Sequence, residues 1–364
     1  KFASPAAAII VTLLFALPVS MTVYGAAGVG LSFAAHEQWP GVPGGPPVWL
    51  PTALVRADVG LGYLAFLLFL PAVLTAIPAW LFYEVTVANM GSASDDRSTR
   101  LRVWFLVSMP LFSAALGLVT FAVRSADWAY ADASLIWAFG CFGAFLFAGE
   151  PLAPSARVLI HWQRKGRSGF LRGLGPGVLR ASVLLALLTI AGIIANGAIA
   201  LITTKTAADR DALIAFHGYA VCFFGFVVGF NAWARARAQG AGTPRLLLAV
   251  ALFFAFVGPW IAMAIAGVIT SEHDRAMLMA GPSPTFAITM AEALASSAPD
   301  HGLIAMTGSA CAAAWALIGT GLFASAGLRV RKRLQTEREA REAMQRAFDD
   351  EDAALRAAAE ASAG

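Results

Sequence analysis

Glu84, Glu150 and His217 are the ionisable side chains that fall within or at the ends of long apolar stretches, and Asn196 and Asn231 are the amides among them. An ionisable group in hydrocarbon is costly unless it is paired or wet, so position alone makes each a candidate. Glu84 and Glu150 lie at equivalent ends of their stretches, where arginines such as Arg97 or Arg157 would pair with them. His217 falls about one turn into its stretch, the place of a hydrogen-bonded interfacial histidine. Asn196 and Asn231 suit amide bonds between helices. Glu84, Glu150, Asn196 and Asn231 are thus the residues that would line a polar cavity or pair within one.

Other chemistries lack their residues. No span is expected to carry Asp, Lys or Arg at mid-depth, which weighs against a proton pump, a voltage sensor or a retinal protein. His36, His217, His273 and His301 gather towards one side and His161 towards the other, with no helix carrying two, which speaks against a bis-histidine haem. There is no HExxH, GxSxG or Walker lysine motif. Gly25-Ala-Ala-Gly-Val-Gly30 mimics a dinucleotide loop but follows no strand, so it reads as helix-packing glycine. Cys141, Cys222 and Cys311 sit singly in apolar runs and read as small buried residues. The expectation is a non-enzyme with no cofactor and no metal.

The elements that must position these residues follow from composition. Of 364 residues, 59% are hydrophobic and 13% charged, with mean hydropathy +0.70. Ordinary soluble chains carry about 25% charged residues. That excludes a soluble, disordered or disulfide-stapled chain. Crossing a bilayer takes about 20 apolar residues in a helix. Eight stretches qualify, near 6–32, 61–88, 103–123, 134–150, 181–203, 212–233, 246–270 and 303–328. Runs of this length are not strands, and they lack the alternation of a barrel. The expected fold class is all-α, a polytopic bundle of about eight transmembrane helices.

Charge sets the expected direction. Twenty-one of the 26 Lys and Arg fall on one side of an eight-span alternation; only Arg56, Arg124, Lys205, Arg210 and Arg275 fall on the other. The positive-inside rule then places both termini in the cytoplasm, in a bacterial cytoplasmic (inner) membrane. The basic isoelectric point, near 9.2, is explained by topology and not by nucleic acid.

Outside the spans, residues 36–60 form a Pro- and Trp-rich loop, and residues 271–302 carry Gly281-Pro-Ser-Pro284 followed by a short helical stretch, Thr285 to Ser297. That stretch is too short to span, so it should lie in the interface or re-enter the membrane. Gly225-Phe-Val-Val-Gly229 is a GxxxG for close helix packing. Pro18, Pro71, Pro78, Pro110 and Pro259 interrupt helix hydrogen bonding. A parallel repeat between the Asp132 to Phe139 and Asp211 to Phe216 segments is a weaker reading. In the loop 151–180, Arg164, Lys165, Arg167 and Arg172 surround Trp162 and Phe170, a patch suited to anionic lipid or an acidic protein surface. From Arg329 the chain becomes a charged helical tail, so 1–328 is read as the bundle and 329–364 as its extension.

The run Glu150-Pro-Leu-Ala-Pro-Ser-Ala-Arg157, the basic loop closing in Gly175-Pro-Gly177, and Ser283-Pro284 before the last span resemble permease subunits of exporter-type ABC transporters over residues 130–330. The resemblance implies a membrane subunit without its own ATPase motif that docks a separate ATPase through cytoplasmic loops. The expected function is an integral membrane subunit of a transport complex, with the bilayer and other subunits as partners. The alternative is a non-catalytic structural or assembly subunit of a larger membrane complex.

Overall fold

The computed structural model describes residues 76–84, 98–149, 177–238, 242–270, 276–296 and 300–363. The expected first span, most of the second, the loop 36–60, Glu150 and the docking residues Trp162, Arg164, Lys165, Arg167, Phe170 and Arg172 lie outside the described residues.

Among the described residues the chain is helical, without strands. After a helical stretch at 76–84 come α1 (Ser98–Val123), α2 (Ala126–Phe147), α3 (Val178–Thr203), α4 (Ala207–Arg237) and α5 (Gly242–Thr270). A 3₁₀ turn (Leu278–Ala280), α6 (Phe286–Ser296) and α7 (His301–Ala363) complete them. Six of these, α1 to α5 and α7, are long and apolar enough to cross a membrane. The chain is a membrane protein.

Each of these six helices begins earlier than its expected stretch, and two of the starts bear on the site. α2 begins at Ala126 rather than 134, and α4 at Ala207 rather than 212. The α1–α2 link is only Arg124 and Ser125. Arg124 takes the left-handed conformation (φ 57°), and its N–H donates to the Thr120 carbonyl to close α1. With so short a link, Asp127, Tyr130 and Asp132 are absorbed into the helix instead of remaining in a polar loop. At α4 the cap sits further upstream than the apolar run suggests: Thr206 accepts from the Asp209 N–H (3.2 Å). Both changes carry polar residues deeper into the bundle.

α4 is the hub, packing against α2, α3, α5, α6 and α7. Its phenylalanines supply the centre of the core. Phe223 stacks on Trp137 of α2 (centroids 5.6 Å), and Phe226 meets Trp315 of α7 at 4.5 Å. Of the Gly225–Gly229 pair, Gly229 turns towards α7, where Gly319 fits against the α4 backbone. A Cβ on Gly319 would lie 2.6 Å from Phe226 Cα, and one on Gly229 would overlap the Gly319 peptide. Gly229 of the GxxxG is therefore used within the chain. By contrast, α5 and α7 turn many apolar side chains outward, among them Phe253, Phe254, Ile261, Leu317 and Leu328, as lipid contact requires.

The ends of the helices sort by charge. The start of α3, the end of α4 and α7 share one apolar cluster of Val178, Ala232, Ala236, Ala326 and Val330. Arg245, opening α5, donates to the Phe145 carbonyl at the end of α2 (3.1 Å). These contacts define a basic face bearing Arg180, Arg235, Arg237, Arg245 and Arg329. The short links Arg124–Ser125 and Thr204–Thr206 mark the opposite face. α7 continues unbroken from its apolar half into the charged tail. At about 1.5 Å per residue, its 63 residues reach about 95 Å, well beyond any bilayer.

Of the three cysteines, only Cys141 is buried; Cys222 and Cys311 are partly exposed. The expected repeat finds no support in environment, since Asp132 is buried and hydrogen-bonded while Asp211 is exposed. The close α4–α7 contact makes a direct prediction. Gly229→Leu should force the helices apart and cost about 1–3 kcal/mol, seen as an earlier midpoint in detergent-solubilised unfolding. Gly225→Ala, whose added methyl meets nothing within 4 Å, should leave the midpoint unchanged or slightly raised.

Candidate functional site: a buried polar chain and a re-entrant turn

Four helices converge on one continuous set of hydrogen bonds. Thr120 of α1 donates to Asp132 Oδ2 of α2 (2.6 Å), and Asn196 Nδ2 of α3 donates to Thr120 Oγ1 (2.8 Å). The Oδ1 atom of Asn196 faces Nε2 of His217 on α4 (3.0 Å), and His217 Nδ1 faces the Leu213 carbonyl (2.8 Å). All four side chains are at most 7% exposed. Counted from the helix ends at the opposite face, they lie about 5–15 Å deep. Gly197, beside Asn196, makes room for the imidazole, because a Cβ there would sit 2.9 Å from His217 Cδ2.

This overturns the expectation that His217 is interfacial, and it draws into α2 an aspartate that the expected span, beginning near 134, leaves outside. Asp132 is inside α2 and His217 inside α4, both buried. Burying a carboxyl and an imidazole costs several kcal/mol unless their hydrogen bonds are met, and here they meet each other through Thr120 and Asn196. Asp132 and Thr120 were not legible as site residues. The one available signal was an aspartate eight residues after Arg124, too far along the chain to cap a helix beginning at the turn.

The other expected residues are dispersed. Asn231 Nδ2 donates to the Ala144 carbonyl of α2 (3.0 Å), and its Oδ1 is buried with no donor. Glu84 accepts from Trp80 Nε1 (3.0 Å), and its other oxygen lies 3.6 Å from Arg100 Nη1, an ion pair longer than a hydrogen bond. Glu84, Asn196 and Asn231 therefore bond separately and do not gather around one cavity.

A second feature stands beside the polar chain. The backbone between Leu278–Ala280 and α6 leaves the helical path at Gly281–Thr285, deep among the helices. Tyr219 donates to the Gly281 carbonyl (2.8 Å) and Trp315 Nε1 to the Pro282 carbonyl (2.9 Å). Trp260 Nε1 reaches Thr285 Oγ1 (2.7 Å) and Ser283 Oγ (3.0 Å), and Ser283 donates to the Phe256 carbonyl (3.1 Å). Trp260, Tyr219 and Trp315 lie 10, 12 and 14 residues from the ends of α5, α4 and α7. That is about 15–21 Å, close to the middle of a hydrocarbon core about 30 Å thick. The segment expected to lie in the interface or re-enter is thus re-entrant in its packing, with Phe286, Ala287 and Met290 of α6 buried. Phe256 also adjoins Ala255, the carbonyl that Pro259 deprives of its helical donor.

Between α2, α4, α5 and the turn lies a cleft of about 280 Å³, lined by Trp137, Phe216, Tyr219, Phe223, Phe256 and Thr285. At the basic face a second cleft of about 430 Å³ lies between Arg237 of α4 and Arg329, Lys332 and Arg333 of α7. The first suits an apolar molecule carrying few hydrogen-bonding groups, the second an anion.

The chain matches no known protein family, no curated protein and no solved structure. What it does must be argued from these side chains. Their interdependence is measurable: Asn196→Ala strips partners from both His217 and Thr120 and should cost about 1–3 kcal/mol in denaturant unfolding of the solubilised chain. Ser134→Ala, which loses only a bond to the Tyr130 carbonyl of its own helix, should stay within about 0.5 kcal/mol.

Proposed function

We propose that the chain is the membrane-embedded subunit of a transport complex in which a small, largely apolar molecule engages the cleft beside the Gly281–Thr285 turn. The observation that carries this reading is the turn itself. Non-helical backbone at membrane depth is tolerated only where protein buries it or where it lines a cavity, and transport proteins place substrate sites at such breaks. Here the break is held by tryptophan and tyrosine donors next to an aromatic cleft, and Pro259 weakens the helix facing it. Rearranging the turn exchanges hydrogen bonds among Trp260, Ser283 and Thr285 without exposing a long stretch of backbone.

In this reading the basic face is cytoplasmic, the membrane is a bacterial inner membrane, and energy comes from a separate ATPase. The docking surface comprises the basic loop with Trp162, Arg164, Lys165, Arg167, Phe170 and Arg172, together with the projecting end of α7. The permease resemblance supports the same arrangement. The outward apolar faces of α5 and α7 favour a second reading, an assembly subunit that presents those faces to neighbouring proteins.

Purification in mild detergent separates the two. A transport subunit copurifies with an ATPase, and Arg164→Glu combined with Arg167→Glu releases it while membrane insertion persists. Recovery as a lone protein, or with partners that hydrolyse nothing, favours the assembly reading. Orientation has its own test: in a cysteine-free background, a thiol introduced at Ser168 should react with an impermeant reagent only after the cells are opened. Labelling in intact cells would reverse the topology.

A further inference from the structure

We propose that Asp132 and His217 form one proton-binding site, holding a single proton between them through Thr120 and Asn196. The inference does not rest on the transport reading, since an assembly subunit would hold the same proton.

Donor and acceptor accounting carries it. His217 Nδ1 faces a carbonyl, so it carries hydrogen in every state. In one complete pattern Thr120 donates to an Asp132 carboxylate, Asn196 donates to Thr120, and the amide oxygen accepts from Nε2–H of an imidazolium. In the other, a protonated Asp132 donates to Thr120, and Thr120 donates to the oxygen of an Asn196 amide turned by half a rotation. The amide nitrogen then donates to a bare Nε2 of neutral His217. Every contact is satisfied in both patterns. They differ by one proton, removed from Nε2 and delivered to Asp132 Oδ2, together with the turned amide and hydroxyl.

The count of one follows from charge. Each pattern is neutral overall, whether as a carboxylate with an imidazolium or as an acid with an imidazole. Removing the proton leaves one net negative charge among apolar helices and aims the Asn196 oxygen at a lone pair. Adding a second leaves one net positive charge. Either state carries the cost of an uncompensated buried ion.

Other charged groups on the surrounding elements do not enter the chain. Among the described residues, Arg124 and Asp127 near the α1–α2 turn, Asp211 on α4 and Glu292 on α6 are exposed. Asp209 is engaged by Thr206, and Arg210 donates to the Thr204 carbonyl (3.2 Å). Tyr130, on α2, packs against Phe216. Asp300, just before α7, and His301 at its first position lie exposed.

The test uses the full chain in lipid nanodiscs, with infrared detection of a protonated carboxyl and ¹⁵N spectra of the histidine rings between about pH 5 and 8. Asp132→Asn and His217→Gln assign the signals. In the unsubstituted protein the protonated fraction of Asp132 and the imidazolium fraction of His217 should sum to one throughout. In Asp132→Asn the new amide supplies the donor that a protonated carboxyl would, so His217 should stay neutral with hydrogen only on Nδ1. An unsubstituted protein in which Asp132 stays ionised while His217 titrates on its own overturns the proposal, whether or not either variant folds. So does a His217 that titrates identically with and without the Asp132 carboxyl.

Discussion

A polar group inside a bilayer has no water to turn to, and most of this architecture answers that constraint. The hydrophobic effect brings apolar helices into the membrane but does little to select their neighbours there, since lipid chains solvate leucine as well as another helix does. Selection falls to close backbone contact and to hydrogen bonds between helices. In this chain both converge on α4. Gly229 brings α7 to backbone contact, His217 ties α4 to α3 and through it to α1 and α2, and Asn231 reaches the α2 carbonyl at the other end. Remove α4, and the remaining helices lose most of the contacts that distinguish protein from lipid.

The re-entrant turn obeys the same constraint. Five residues of non-helical backbone near mid-depth expose carbonyls that a regular helix would satisfy. Tyr219 and Trp315 donate to the Gly281 and Pro282 carbonyls, and Trp260, from a third helix, holds the turn through the Ser283 and Thr285 hydroxyls. These side chains suit the task because each combines a large apolar body with a single polar tip. The aromatic bodies then line the cleft that the turn creates. Support of the turn and formation of the cleft are one arrangement of side chains, so any motion of the turn alters the cleft.

Much of this was open to a reader of the sequence. Composition demands a membrane protein, because 13% charged residues cannot solvate a surface of this size. Six of the apolar stretches read from the sequence correspond to six helices, and the Gly281–Pro284 signature marks a segment too short to span. Asn196 and Asn231 were legible as interhelical amides because an amide in hydrocarbon has few other uses. Arg100 faces Glu84, a choice among neighbouring arginines that depends on side-chain direction, while Arg97 and Arg157 lie outside the described residues.

What sequence alone determined is what depends on local composition and length: which stretches are apolar, that they are helical, and where small residues permit close approach. The pairing of Asp132 with His217 depends on something else. The two are far apart in sequence, and an aspartate next to a loop reads as solvated until the link proves to be two residues long. Only tertiary structure decided that four polar side chains from four helices meet in one chain, because hydrogen bonds depend on distance and angle across helices. Those are set by packing around α4, where the Gly197 backbone leaves space for one imidazole ring, and periodicity along a single helix holds no record of them.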